Sequence, residues 1–161
     1  MEIRAATDED WQRIWPFFAA IVEAGETYAF PAGLTMETAR PWWMEQQPGR
    51  TVVAVDGDQV LGSAKMGPNR PGRGAHVATA SFMVDPGCQG RGVGRALAQH
   101  VVDWARGAGY RSMQFNAVVE TNTSAVRLWE SLGFEILTTV PEAFAHPDHG
   151  LVGLHIMFQR L

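Results

Sequence analysis

The chain of 161 residues is 46% hydrophobic and carries 13 Lys+Arg against 17 Asp+Glu, a formal charge of -4, which suits one domain over residues 1–161 with an ordinary buried core. The acidic balance argues against a nucleic-acid footprint or docking on an anionic membrane, and no apolar run is long enough to span one, so the expected partner is a small molecule. The opening MEIRAATDEDW has no leader character and the single cysteine, Cys88, allows no internal disulfide, which together point to a cytoplasmic setting.

In chain order, Glu2 to Ala5 reads as a first strand, and Thr7 as the N-cap of a helix that places Trp11, Ile14, Trp15, Phe18, Ile21 and Val22 on one face, bent at Pro16. EAGETYAFPAGLT (Glu23 to Thr35) is an irregular loop, closed where Thr35 caps a short helix through Gln46. RTVVAVDGDQVLGSAKMG is a hairpin turning at Asp56-Gly57-Asp58, PNRPGRG (Pro68 to Gly74) is a polar loop, and His76 to Val84 is a strand. A glycine-rich turn follows. Val93, Leu97, Val101 and Trp104 then recur in steps of four, four and three, an amphipathic helix stopped near Gly107 or Gly109. A strand through Met113 to Val118, a helix from Thr123 to Leu132 closed by Gly133, and strands at Phe134 to Thr139 and Leu154 to Phe158 complete an α/β (α+β) order around one mixed sheet. His76, His100, His146, His149 and His155 show no zinc spacing, so no metal is expected. The aromatic-rich first helices, with Trp42 and Trp43, leave two readings open: burial in the chain's own core, or against a second copy in a homodimer.

Gly87, Gly90, Gly92 and Gly94 cluster where the strand ending at Val84 meets the helix beginning at Val93. Glycine is entropically costly, and a helix start offers unpaired N–H groups at the positive end of its dipole, so the turn reads as an anion site. Three designs compete for it. The nucleotide-triphosphate loop needs Gly-Lys-Ser/Thr, and the chain has Gly-Val-Gly-Arg; the dinucleotide fingerprint needs its glycines directly at the strand end, and here Asp85 to Gln89 intervene. The third design is Gln89-Gly90-Arg91-Gly92-Val93-Gly94, the Q/R-x-x-G-x-G/A pattern of the GNAT superfamily of acetyl-CoA-dependent N-acetyltransferases. NTSAVRLWESLGF (Asn122 to Phe134) resembles that family's second signature, in order and separated by one strand.

The resemblance implies a mixed, mostly antiparallel sheet splayed at the cofactor strand, with helices on both faces. It implies acetyl-CoA as donor, with its pyrophosphate on Gln89, Gly90, Arg91, Gly92, Val93, Gly94 and Arg95, the two arginines serving either the phosphates or merely the surface. It places pantetheine against the main chain of Phe82 and Val84, one N–H polarising the thioester, with Asn122 holding the pantetheine arm or capping its helix. Many relatives have a tyrosine after the leucine that is Leu128 here, as general acid; this chain has Trp129, whose indole is no useful acid, and HVATASFMV lacks a glutamate base. His76 is then the nearest candidate proton helper. Direct transfer to a neutral amine, driven by positioning, remains open to it, as does a non-catalytic acyl-CoA-binding module. Cys88 is expected to be a loop residue and not a nucleophile.

Within the superfamily the chain is similar in pattern to the azetidine-2-carboxylate (proline-analogue) acetyltransferases of yeast and, less closely, to the phosphinothricin type. Glu23, Glu26 and Tyr28 in the first loop, Pro68-Asn69 with Arg73, His76, and Phe115-Asn116 with Asn122 carry that similarity, while Thr79 stands where the yeast pattern has asparagine. It implies a small amino-acid-like amine as acceptor, with Glu23, Tyr28, Arg73 and Asn116 as substrate candidates; Asn116 binds a carboxylate or satisfies neighbouring backbone.

Overall fold

The computed structural model describes residues 1–161. Its elements are β1 (Glu2–Ala5), α1 (Asp8–Ala24), α2 (Met36–Trp43), β2 (Arg50–Asp56), β3 (Gln59–Pro68), β4 (Val77–Val84), α3 (Val93–Gly107), β5 (Ser112–Val119), α4 (Thr123–Ser131), β6 (Glu135–His146) and β7 (Gly150–Arg160). Thr7 opens α1 as its position predicts: its N–H donates to Asp10 Oδ2 at 2.7 Å and its hydroxyl to the same oxygen at 3.0 Å. Asp10, buried in the first turn, also takes both arms of the Arg4 guanidinium at 2.6 and 2.9 Å, tying the helix to β1. Pro16 lies inside α1 without ending it.

The helix capped by Thr35 is shorter than the sequence pattern suggests, ending at Trp43 and not at Gln46. Its last carbonyl is claimed from outside: the Thr51 hydroxyl donates to Trp43 O at 2.9 Å, and the Thr51 hydroxyl oxygen in turn accepts the Glu45 N–H at 2.9 Å. The final hairpin departs the other way. Its strands run to His146 and from Gly150, because Pro141 falls in a bulge between Val140 and Phe144 on the edge strand, where a missing N–H breaks no ladder.

Seven strands form one sheet in the order β1-β2-β3-β4-β5-β7-β6. Every neighbouring pair is antiparallel except β4 and β5, which are parallel and register only at Val77↔Ser112 and Ala78↔Met113. Beyond Ala78 the two strands part, as the family resemblance implied. Period-two alternation sends Ala64, Met66 and Ala78 to a core with Leu97, Val101 and Trp129 from α3 and α4, and Val53, Val55, Val60 and Met83 to a core with Ile14, Phe18 and Trp43 from α1 and α2. Trp43 is thus fully buried in the chain's own core, while Trp42 is exposed. Helix α3 lies so close on β3 that a Cβ at Gly62 would stand 2.8 Å from Met83 O and 3.1 Å from Val93 Cγ1. Glycine there lets the helix start come up against the end of β4.

Candidate active site

The site is a consequence of strand parity. Asp85 N–H donates to Leu61 O at 2.9 Å, and Ser63 pairs with Met83 and Lys65 with Ser81. An antiparallel ladder alternates, so the main chain of Ser81 and Met83 is spent on β3, whereas that of Ala80, Phe82 and Val84 faces the gap left by β5. The side chains divide as well. Phe82 packs toward α3 and α4, its ring 4.7 Å from Trp129 and 5.9 Å from Phe115, while Lys65 reaches the other face, donating to Trp42 O. The gap is therefore a passage through the sheet, a cleft of about 980 Å³ lined from both faces.

At its middle stands Tyr28. Its hydroxyl donates to Phe82 O at 2.6 Å and accepts the Phe82 N–H at 2.9 Å, taking the place of the strand neighbour that β5 fails to supply. The ring is held by Phe30, stacked at 5.2 Å and 3°, and by Trp43 edge-on at 6.1 Å. Burial pushes the phenol well above its usual pKa, more than the bond from Phe82 lowers it. It stays protonated at any working pH.

At one end of the cleft, α3 begins on Gly92 in the left-handed region, φ 77°, with Gly90 at φ 76° just before it. A Cβ at either would meet no atom within 4 Å, so space above the turn is open, and the positive φ is what demands glycine. The first main-chain N–H to close on a carbonyl is that of Ala96, on Gly92 O at 3.0 Å. The N–H groups from Gln89 to Arg95 have no partner in the chain, and this cradle fits a pyrophosphate.

The remaining predicted residues fall into two groups. Val84, Gln89, Gly90, Gly92, Val93, Gly94, Asn122 and Trp129 line the cleft with Phe82, and so do Glu26, Tyr28 and Asn116. Asn122 caps α4, accepting Ala125 N–H at 3.3 Å, which leaves its amide nitrogen without a protein partner. Asn116 bonds neither backbone nor open space: it donates to Asn69 Oδ1 at 2.7 Å and accepts from Gln114 at 2.9 Å, joining β5 to the loop after β3. Arg91 is paired with Asp56 at 2.9 Å and Arg95 with Ser131 at 2.8 Å, so both arginines are engaged on the surface. Cys88 is buried in the turn before α3, with Gln59 Nε2 3.5 Å from its sulfur, and borders the cleft.

His76, expected as a proton helper, is a correction. It precedes Phe82 by six residues on an extended strand, about 20 Å, and lines a separate hollow with Arg50, Trp104 and Tyr110. Arg73 and Glu23, both exposed, do not line the cleft either. Conversely, Lys65 and Ser81 do line it and were not singled out. Lys65 was the one signal available, a lone charge inside the apolar run VLGSAKMG.

A sheet opened between parallel strands, with a glycine-capped helix aimed at the opening, defines a protein built to hold an acyl-CoA thioester. The model of the Acetyltransferase (GNAT) family matches residues 7–134, and the chain belongs to that family. It is an acetyl-CoA-dependent N-acetyltransferase. A GCN5-related N-acetyltransferase from Kribbella flavida is similar at 61% identity and a TM-score of 0.96, over 99% of this chain and 97% of that one. The yncA structure from Salmonella typhimurium, solved with its cofactor acetyl-CoA, is 25% identical with a TM-score of 0.87, over 100% of this chain and 94% of that. N-acetyltransferase aca1 of Schizosaccharomyces pombe is 30% identical over 151 residues, 84% of this chain and 72% of its own. No helix is long and apolar enough to cross a membrane.

Proposed function

We propose that the acceptor is the amine of a small amino-acid-like metabolite or toxic analogue, acetylated by direct transfer. The observation that carries this reading is the chemistry of the cleft lining, in which Glu26 is the single carboxylate and Lys65 the single ammonium. An amino acid brings a carboxylate for Lys65 and, for Glu26, an amine that reacts once it has shed its proton. Lys65 spends two donors on Trp42 O and Glu45, at 2.8 and 3.1 Å, and an ammonium has three. Thr79, Ser81 and Asn116 add uncharged polar groups to the same lining. Relatives differ in acceptor by name, from L-methionine sulfoximine to the alanine of ribosomal protein bS18, so family membership alone does not choose.

In this reading the pyrophosphate rests on the N–H groups of Gln89 to Arg95, and pantetheine runs along Val84 under Asn122, with Trp129 as the apolar floor. Phe82 N–H takes the thioester carbonyl. The acceptor nitrogen, arriving neutral from the face of α1 and α2, adds to the carbonyl carbon. The C–S bond breaks with its electron pair on sulfur, and the amine's proton leaves to water, since the polar side chains of β4 on that face, Thr79 and Ser81, carry no titratable group. Catalysis is then mainly positioning.

A thiol-release assay with acetyl-CoA tests the acceptor class, run on azetidine-2-carboxylate, phosphinothricin, methionine sulfoximine, a polyamine and a peptide with N-terminal alanine. Turnover of one or more of the amino acids is expected, lowered in Glu26→Gln. Turnover of the peptide or polyamine alone would overturn the reading.

A further inference from the structure

We propose that the Tyr28 hydroxyl is a second hydrogen-bond donor to the thioester carbonyl oxygen, completing an oxyanion site with the Phe82 N–H. This rests on the placement of the thioester proposed above. The hydroxyl occupies the spot that an acceptor of the Phe82 N–H must take, 2.9 Å from that nitrogen. A carbonyl oxygen arriving there displaces it by about one hydrogen-bond length. It cannot go far. The ring is clamped between Phe30 and Trp43, so the displaced hydroxyl remains the carbonyl's neighbour, with its proton free to turn from Phe82 O to the newcomer. Val84 keeps its own main-chain groups for the pantetheine amide.

The chemistry asks for such a donor. When the amine nitrogen bonds to the carbonyl carbon, the π pair moves onto oxygen, and when the C–S bond breaks that pair returns and the sulfur leaves as thiolate. Charge on oxygen is thus transient, and a group that donates a hydrogen bond without surrendering its proton stabilises it best. The buried phenol is such a group, because desolvation holds its proton. The role as general acid that tyrosine fills elsewhere in the family, from α4, is a different one, and Tyr28 approaches from the opposite face of the sheet.

Tyr28→Phe in the full chain tests the proposal, since it keeps the ring and its stacking and removes one oxygen. Oxyanion donors elsewhere are worth roughly 100- to 1,000-fold in kcat, and a kcat loss of about 100-fold is expected, with acetyl-CoA affinity by calorimetry equal to or tighter than wild type. The carbonyl stretch of bound acetyl-CoA, by isotope-edited infrared difference, should lie higher in Tyr28→Phe than in wild type, a readout independent of turnover. If the variant binds acetyl-CoA more tightly, turns over undiminished and leaves the stretch unmoved, the hydroxyl is only a cap on an unpaired strand and the proposal is overturned. If wild type binds no acetyl-CoA, the reading of the cleft fails first, and this with it.

Discussion

Trp129 bears on the proposed handling of protons. Its indole lies 4.7 Å from the Phe82 ring and 4.8 Å from Phe115, in the helix α4 position from which many relatives present a phenol. Its N–H can donate a hydrogen bond but is no acid. Neither tyrosine of the chain substitutes for it: Tyr28 is held protonated by burial, and Tyr110, also raised by burial, lines the hollow behind β4 and not the cleft. In the proposed reaction the amine therefore sheds its own proton. We expect kcat/KM for the acceptor to rise with pH to the free amine's pKa, with no falling limb from an enzyme group below about pH 10. Trp129→Phe should keep that profile, at a lower rate from lost packing. A bell-shaped profile whose upper limb persists when the acceptor is exchanged for one of different pKa would show that an enzyme acid had been overlooked.

At the scale of elements, the first turn of α1 shows how one carboxylate holds a helix to a sheet. Asp10 is only 2% exposed and its pKa is lowered to about 2, first by the Arg4 guanidinium and then, against the cost of burial, by the Thr7 N–H and hydroxyl. A depressed carboxylate stabilises the fold above its unfolded pKa, near 4, and that contribution is lost as pH falls through the folded value. The shift from 3.8 to about 2 corresponds to roughly 2 kcal/mol at neutral pH, from 1.36 kcal/mol per unit. Asp10→Asn should lose about that much in urea unfolding at pH 7, and the gap between variant and wild type should narrow steadily from pH 4 toward pH 2. A gap that stays constant over that window would mean the carboxylate's charge contributes nothing. The cap itself was legible, since Thr7 precedes an apolar stripe at helical spacing. The salt link to Arg4 was not, because it depends on the angle at which β1 delivers the chain. The same limit runs through the site. The glycine turn and Asn122 could be read because their function is local to a strand–helix or loop–helix junction. Tyr28 could be suspected, but its bond to Phe82, 54 residues away, and the appearance of Lys65 in the cleft follow from the register of β3 on β4. Nor did the sequence show that His76 stands behind the gap; proximity in sequence on an extended strand means distance in space.

The whole molecule is two half-sheets, β1 to β4 and β5 to β7, joined by only two registered pairs at one end of a parallel contact. Helices α1 and α2 pack on the first half, while the core under α3 and α4 takes residues from both, and the passage between the halves is the proposed place of the donor. A ligand that pairs with β4 along the gap and rests its phosphates on α3 while touching α4 through Asn122 and Trp129 spans both halves, so binding should stiffen the molecule well beyond the atoms touched. At acetyl-CoA about 100-fold above its Kd, linkage gives about 2.7 kcal/mol, which for a chain of this size is a rise in Tm of roughly 5–10 °C. Hydrogen exchange should locate the gain: slower exchange at Val84 and across Gln89 to Arg95, and also in β5 from Phe115 to Val118, on the far side of the gap. Gly92→Glu places a carboxylate and a strained backbone on the phosphate cradle while leaving both cores untouched, and should abolish the Tm rise and the β5 protection together. Protection confined to the start of α3, with β5 exchanging as before, would show that the donor sits on one half-sheet alone and that the gap does not close around it.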